Sequence, residues 1–189
     1  MTEEVSAEEA ASVLRRGGVV LVPTETVVGL VAAESGPLNG IKGSDPGKPL
    51  AMLCASAEEA LSLATEVPPL ARALADAFWP GPLTLVLGRP GGGAVGVRVP
   101  AGAVVGVLRA HGGPLYATSA NPSGGPAPRS LDAVDPELVA AADVVVGGEA
   151  GSGEASAVVD FSGVEPRLLR AAEQLTGETL RKMAGGSRY

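Results

Sequence analysis

"LVPTETVVGL", residues 21–30, opens as an apolar strand and turns at once into proline, two threonines and a glutamate. The preceding "VVLV" (19–22) is β-branched and bounded by glycine and proline, which marks a buried strand. A strand that served only the core would turn at glycine or asparagine, which adopt turn conformations at little steric cost. This one ends in hydroxyls. Thr24 and Thr26 are then either ordinary turn residues or groups that the strand delivers to a pocket.

The same interruption recurs along the chain. "KGSDPGKPL" (42–50) places Lys42 and Lys48 around a glycine turn, and Arg98 sits inside the apolar "VGVRVP" (95–100). "ATSAN" (117–121) ends a strand in Thr118, Ser119 and Asn121, "SAVVD" (156–160) brings Ser156 and Asp160, and "LLRAAE" (168–173) brings Arg170. Each has a structural explanation alone. Threonine is a good strand residue, side-chain caps are frequent, and alternation allows Arg98 to face solvent. Together, hydroxyls, Asn, Lys and Arg at strand ends, with almost no acidic partner nearby, suit an anionic ligand. No Walker sequence or GxGxxG lies between a strand and a helix, so neither standard phosphate loop applies. Glu25 is expected to face solvent, with general-base work as its alternative.

Around these sites the pattern alternates between helices and strands. Ser6 with Glu9 has capping-box spacing and opens a helix over 6–16; Ser56 with Glu59 opens another over 57–65. Helices are expected at 69–78, 103–111, 136–141 and 177–184. Strands are expected at 19–22, 49–54, 83–87, 95–99, 115–119, 143–148, 156–161 and 167–170. The stretch 31–48 is rich in chain breakers and reads as loop. Some neighbouring strands lie too close for helical crossovers, so the prediction is an α+β (α/β-like) fold. Its core would be a mixed parallel and antiparallel sheet of about seven strands covered by helices, in one domain over 1–189.

The bulk numbers narrow the function. Net charge is −7, which argues against broad nucleic-acid binding, since that needs a basic surface to displace counterions. Cys54 is the single cysteine and His111 the single histidine, so an internal disulfide and a His/Cys zinc site are both excluded. Cys54, inside "AMLCAS", reads as a packing residue, and no GxSxG surrounds any serine. The acidic start "MTEEVSAEEA" lacks signal-peptide features, no apolar run reaches the ~20 residues of a membrane span, and a cytoplasmic protein is expected.

"VPTETVVGL", "IKGSDPGKPL", "FWPGPLTLVL", "VGVRVP", "ATSANPSG", "SAVVD" and "LLRAAE", in this order, resemble the YrdC family of threonylcarbamoyl-adenylate synthases. The resemblance runs from about residue 17 to residue 171. It implies a twisted mixed sheet with helices, and synthesis of threonylcarbamoyl-adenylate from L-threonine, bicarbonate and ATP carrying Mg²⁺, without a covalent nucleophile or a protein metal site. It further implies a partner transferase that modifies tRNA adenosine 37, and a concave basic face for tRNA or double-stranded RNA. On the threonine side it places Thr24, Thr26, Arg98, Ala117 and Ser156, and on the nucleotide side Lys42, Lys48, Ser119, Asn121 and Arg170. The chain departs from the family pattern at Val28 (usually Tyr), Ser44 (usually Arg) and Ala157 (often Thr), and in a shortened 31–41 loop that has lost a helix. A non-catalytic relative that binds RNA or a nucleotide is the alternative these departures suggest.

Overall fold

The computed structural model describes residues 4–43 and 50–186. In chain order the elements are β1 (Glu4–Val5), α1 (Ala7–Arg15), β2 (Val19–Pro23), β3 (Val28–Ala32), α2 (Ser35–Lys42), β4 (Ala51–Leu53), α3 (Ala57–Ser62) and α4 (Pro69–Phe78). There follow β5 (Leu83–Gly88), β6 (Ala94–Arg98), α5 (Val104–His111), β7 (Leu115–Ser119), a 3₁₀ turn (Leu131–Ala133) and α6 (Pro136–Ala141). The chain closes with β8 (Val144–Val146), β9 (Ala157–Asp160), β10 (Arg167–Arg170) and α7 (Gly177–Gly186).

The strands form one sheet in the order β1-β8-β2-β3-β7-β4-β6-β5-β9-β10. Parallel pairs (β1/β8, β2/β8, β4/β6, β5/β9) mix with antiparallel ones, as expected for a mixed sheet. The count is ten rather than about seven. Short Glu4–Val5 carries no periodic pattern, and it forms because β8 offers it a parallel edge. Thr24–Val27 is a tight turn rather than a strand end: Thr24 N–H donates to the Val27 carbonyl at 3.1 Å, and β3 returns antiparallel to β2.

The 31–48 stretch is not all loop. Its first two residues complete β3, and Ser35–Lys42 is helix α2, so the helix expected to be lost is present. "SGPLNGIK" has poor helix propensity, but its Leu38 is fully buried against Leu30 and Val28. Packing of that kind outweighs propensity in a short helix. Gly43 ends it in the left-handed conformation (φ 54), which only glycine adopts cheaply. The capping box of α1 is complete, with Ser6 and Glu9 each accepting the other's backbone N–H.

Strand alternation sorts side chains onto two faces. On one face Leu21, Leu30, Leu85, Val97 and Val159 are buried beneath α2, α6, α3, α4 and α7. On the other, Val20, Val22, Val31, Leu53 and Leu115 pack under α1 and α5, which cover only part of the sheet. The remainder of that second face is left for a cavity. Among the described residues no helix is long and apolar enough to cross a membrane.

Candidate functional site

The cavity, about 350 Å³, has a floor written in the strand register. Across adjacent strands, Val31 pairs with Ala117, Ala117 with Ala51, Ala51 with Gly96, and Gly96 with Val86. All five residues line the cavity. Two alanines and a glycine at the centre, between two valines, lower the surface there into a trough. Ala117 therefore serves as floor and offers no polar side chain.

One wall is the Thr24–Val27 turn with Arg98. Thr24, Thr26 and Arg98 are 5%, 1% and 7% exposed, so Arg98 does not face solvent. Its Nη2 donates to Glu25 Oε1 at 2.6 Å and to Thr26 Oγ1 at 3.0 Å, and its Nε to the Gly81 carbonyl at 3.2 Å. Glu25, expected in solvent, is instead the carboxylate behind Arg98, and its Oε2 also accepts the Ala101 N–H. A cation this buried needs such a partner. Nη1 of Arg98 has no partner among the described residues and is left for a ligand.

Proton accounting fixes the turn's polarity. The Thr24 hydroxyl donates to the Val27 carbonyl at 2.8 Å, so it accepts from Thr26 at 2.8 Å, and Thr26 accepts from Arg98. Both hydroxyl protons are spent within the protein. A ligand finds at most an acceptor lone pair on Thr26.

The facing wall is Thr84, Ser156 and Arg170. The Thr84 and Ser156 hydroxyls lie 2.9 Å apart, and Arg170 donates to the Ser156 carbonyl at 2.6 Å and to its hydroxyl at 3.2 Å. Burial, and then the Arg98 guanidinium, hold the Arg170 pKa below the usual arginine value. Among the described residues no carboxylate pairs with Arg170. The cavity therefore carries an uncompensated positive charge, which favours an anionic ligand.

A further group of strand-end residues is joined through β7, which lies between β3 and β4. Lys42 Nζ donates to the Ser119 carbonyl at 3.0 Å and to the Asn121 carbonyl, so α2 brings the lysine to the end of β7. Asn121 donates to the carbonyls of Pro122 and Gly125 at 2.9 and 2.6 Å, while its buried Oδ1 has no partner among the described residues. Ser119 lines the cavity; Lys42 and Asn121 stand outside its wall. Lys48 and Ser44 lie outside the described residues. Val28 and Ala157 are fully buried on the opposite, helix-covered face, so these two departures do not touch the cavity. Cys54 is fully buried, and burial, with Glu59 adding to it, pushes its thiol up to about 12, as a packing residue requires.

Three features escape sequence reading. Thr84 looks like any strand threonine inside "LTLVL". Glu25 gives no hint of its partner 73 residues away. The Gly/Ser loop after β8 lies along the threonine turn, with N–H groups of Gly151, Ser152 and Gly153 donating to the carbonyls of Thr24, Glu25 and Thr26 at 3.0, 3.1 and 2.7 Å. A Cβ on Gly151 would lie 1.7 Å from the Glu25 carbonyl oxygen, so the loop's glycine is a packing requirement. Its composition was the available signal.

A family model, Sua5/YciO/YrdC, described as "Telomere recombination", matches residues 12–172. The threonylcarbamoyl-AMP synthase of Pyrococcus abyssi (strain GE5 / Orsay) is 37% identical over 185 residues, covering 89% of this chain and 54% of that protein. The threonylcarbamoyl-AMP synthase of Bacillus subtilis (strain 168) is 34% identical over 188 residues, covering 89% and 54%. The crystal structure of P. abyssi Sua5 complexed with L-threonine superposes with a TM-score of 0.85 at 33% identity, over 95% of this chain and 57% of that one. The chain thus spans about half the length of these three relatives.

Proposed function

The chain belongs to the Sua5/YciO/YrdC family, and on that premise we propose that it makes threonylcarbamoyl-adenylate from L-threonine, bicarbonate and ATP. The observation that carries this reading is the trough between two arginines, one of which keeps a guanidinium N–H unspent among the described residues while Glu25 and Thr26 hold it in place. The whole chain, 1–189, is read as one catalytic domain.

The chemistry needs positioning more than covalent catalysis. The threonine amine adds to bicarbonate, water leaves, and a carbamate forms. A carbamate oxygen then attacks the α-phosphorus of ATP, the bond from that phosphorus to the bridging oxygen breaks, and pyrophosphate departs. Arg98 binds the amino-acid carboxylate through Nη1, and the floor of Ala51, Gly96 and Ala117 leaves room for the rest of the molecule. Arg170, Lys42, Ser119 and Asn121 stand on the nucleotide side, where cationic and amide donors stabilise charge on the phosphates. Lys48 is assigned to the same side.

Mg²⁺ would neutralise the triphosphate. Among the described residues no three His, Cys, Asp or Glu side chains cluster to hold a metal, and Glu25 is already committed to Arg98. The ion would therefore be held by the phosphates, and no protein residue is assigned to it. The product would pass to a transferase that modifies tRNA, which places the work in the cytosol.

Titration of L-threonine and of ATP into the wild type and Arg98→Ala tests the assignment. The variant is expected to lose roughly 100-fold in threonine affinity, the scale of a lost charged hydrogen bond, with ATP affinity nearly unchanged. Equal losses for both ligands would overturn the role of Arg98, and no threonine binding to the folded wild type would overturn the function.

A further inference from the structure

Four buried hydroxyls line the cavity: Thr24, Thr26, Thr84 and Ser156. The first two have given their protons to protein acceptors, as the chain from Thr26 through Thr24 to the Val27 carbonyl requires. The second two have not. Thr84 and Ser156 touch each other at 2.9 Å, and among the described residues the one further contact to either hydroxyl is the Arg170 N–H that Ser156 accepts. Whichever donates to the other, one of the two protons stays unspent, together with lone pairs on the pair. Thr84 is 7% exposed and Ser156 4%, so solvent satisfies this proton poorly, in contrast to the half-exposed Thr118 and Ser119.

Arginine N–H groups only donate, and Thr26 can only accept. A carboxylate or phosphate, which only accepts, is matched by Arg98 Nη1 and Arg170. A hydroxyl both donates and accepts, and the buried Thr84–Ser156 pair can do both in return. Resting on the proposed function, we propose that Thr84 is a ligand-contacting residue that, with Ser156, reads the side-chain hydroxyl of the amino-acid substrate. The pocket would thereby select a β-hydroxy amino acid over its deoxy isostere. The Thr84 methyl faces the trough, where a Cβ on Gly96 would meet it at 3.6 Å, so that side of the residue packs while its hydroxyl turns to Ser156.

Calorimetric titration of L-threonine and of L-α-aminobutyrate, which lacks only the hydroxyl, into the full chain tests this. The wild type should bind threonine about tenfold more tightly than α-aminobutyrate, the scale of one good neutral hydrogen bond. The nearly isosteric Thr84→Val should abolish that preference by weakening threonine and leaving α-aminobutyrate unchanged, and Thr84→Ser should restore it. A folded Thr84→Val that keeps the preference, or that weakens both ligands alike, would overturn the inference. Threonine binding without any preference in the wild type would also overturn it, while leaving the proposed function standing. Binding of neither amino acid would bring down both.

Discussion

His111, the chain's single histidine, ends α5 with its Nδ1 buried and without a partner among the described residues. Burial, and then the nearby Arg15, hold its pKa below the ordinary 6.5. The folded state therefore prefers the neutral ring, while the unfolded chain takes up a proton as pH falls through 6.5. The stability His111 supports is complete above pH 6.5 and declines as pH drops from there toward the lower folded value. Melting temperature measured from pH 7.5 to pH 5 should show this fall, and His111→Gln should flatten it; a variant with the same slope would assign the proton elsewhere. Carboxylates held low, such as Asp160 with its Ser162 and Arg167 partners, act only at more acidic pH. At this scale the polar set at the strand ends was legible because those side chains break apolar runs. Their bonding was not. In "VGVRVP" alternation separates Arg98 from the valines that pack under helices, but it does not tell a cavity wall from solvent. The acid that anchors it comes from a distant turn.

At the scale of elements, strands with long β-branched runs and helices with capping residues were readable, and α2 was not. Two glycines and a proline in eight residues conceal a helix whose stability comes from tertiary burial of Leu38. Gly40 gives a direct check. It lies within α2, and a Cβ there would meet nothing within 4 Å. Gly40→Ala should stabilise the protein by about 0.5–1 kcal/mol in urea unfolding, the gain expected for alanine in an exposed helix interior. A neutral or destabilising effect would mean the segment is not helical there. The helix matters for the site because its last turn presents Lys42 to the carbonyls of Ser119 and Asn121. The strap of Gly151–Gly153 was equally hidden, since its contacts are backbone to backbone and no side-chain pattern records them.

At the scale of the whole molecule, one sheet has two unequal faces. One packs under α2, α3, α4, α6 and α7; the other is roofed by α1 and α5 and otherwise left open over a row of small residues. A trough of this kind is invisible in any single strand, because Ala51, Gly96 and Ala117 come together only through register. The acidic total of −7 coexists with a cationic cavity because the two arginines are gathered there and, among the described residues, only Arg98 has its carboxylate. That local charge, and not the net charge, governs the ligand. The central claim is that this cavity joins threonine, bicarbonate and ATP. Pyrophosphate release by the purified chain with ATP, Mg²⁺ and bicarbonate, measured with and without L-threonine, tests it most directly. Release that requires both threonine and bicarbonate is expected; absence of release from a folded protein, or release indifferent to threonine, would contradict it.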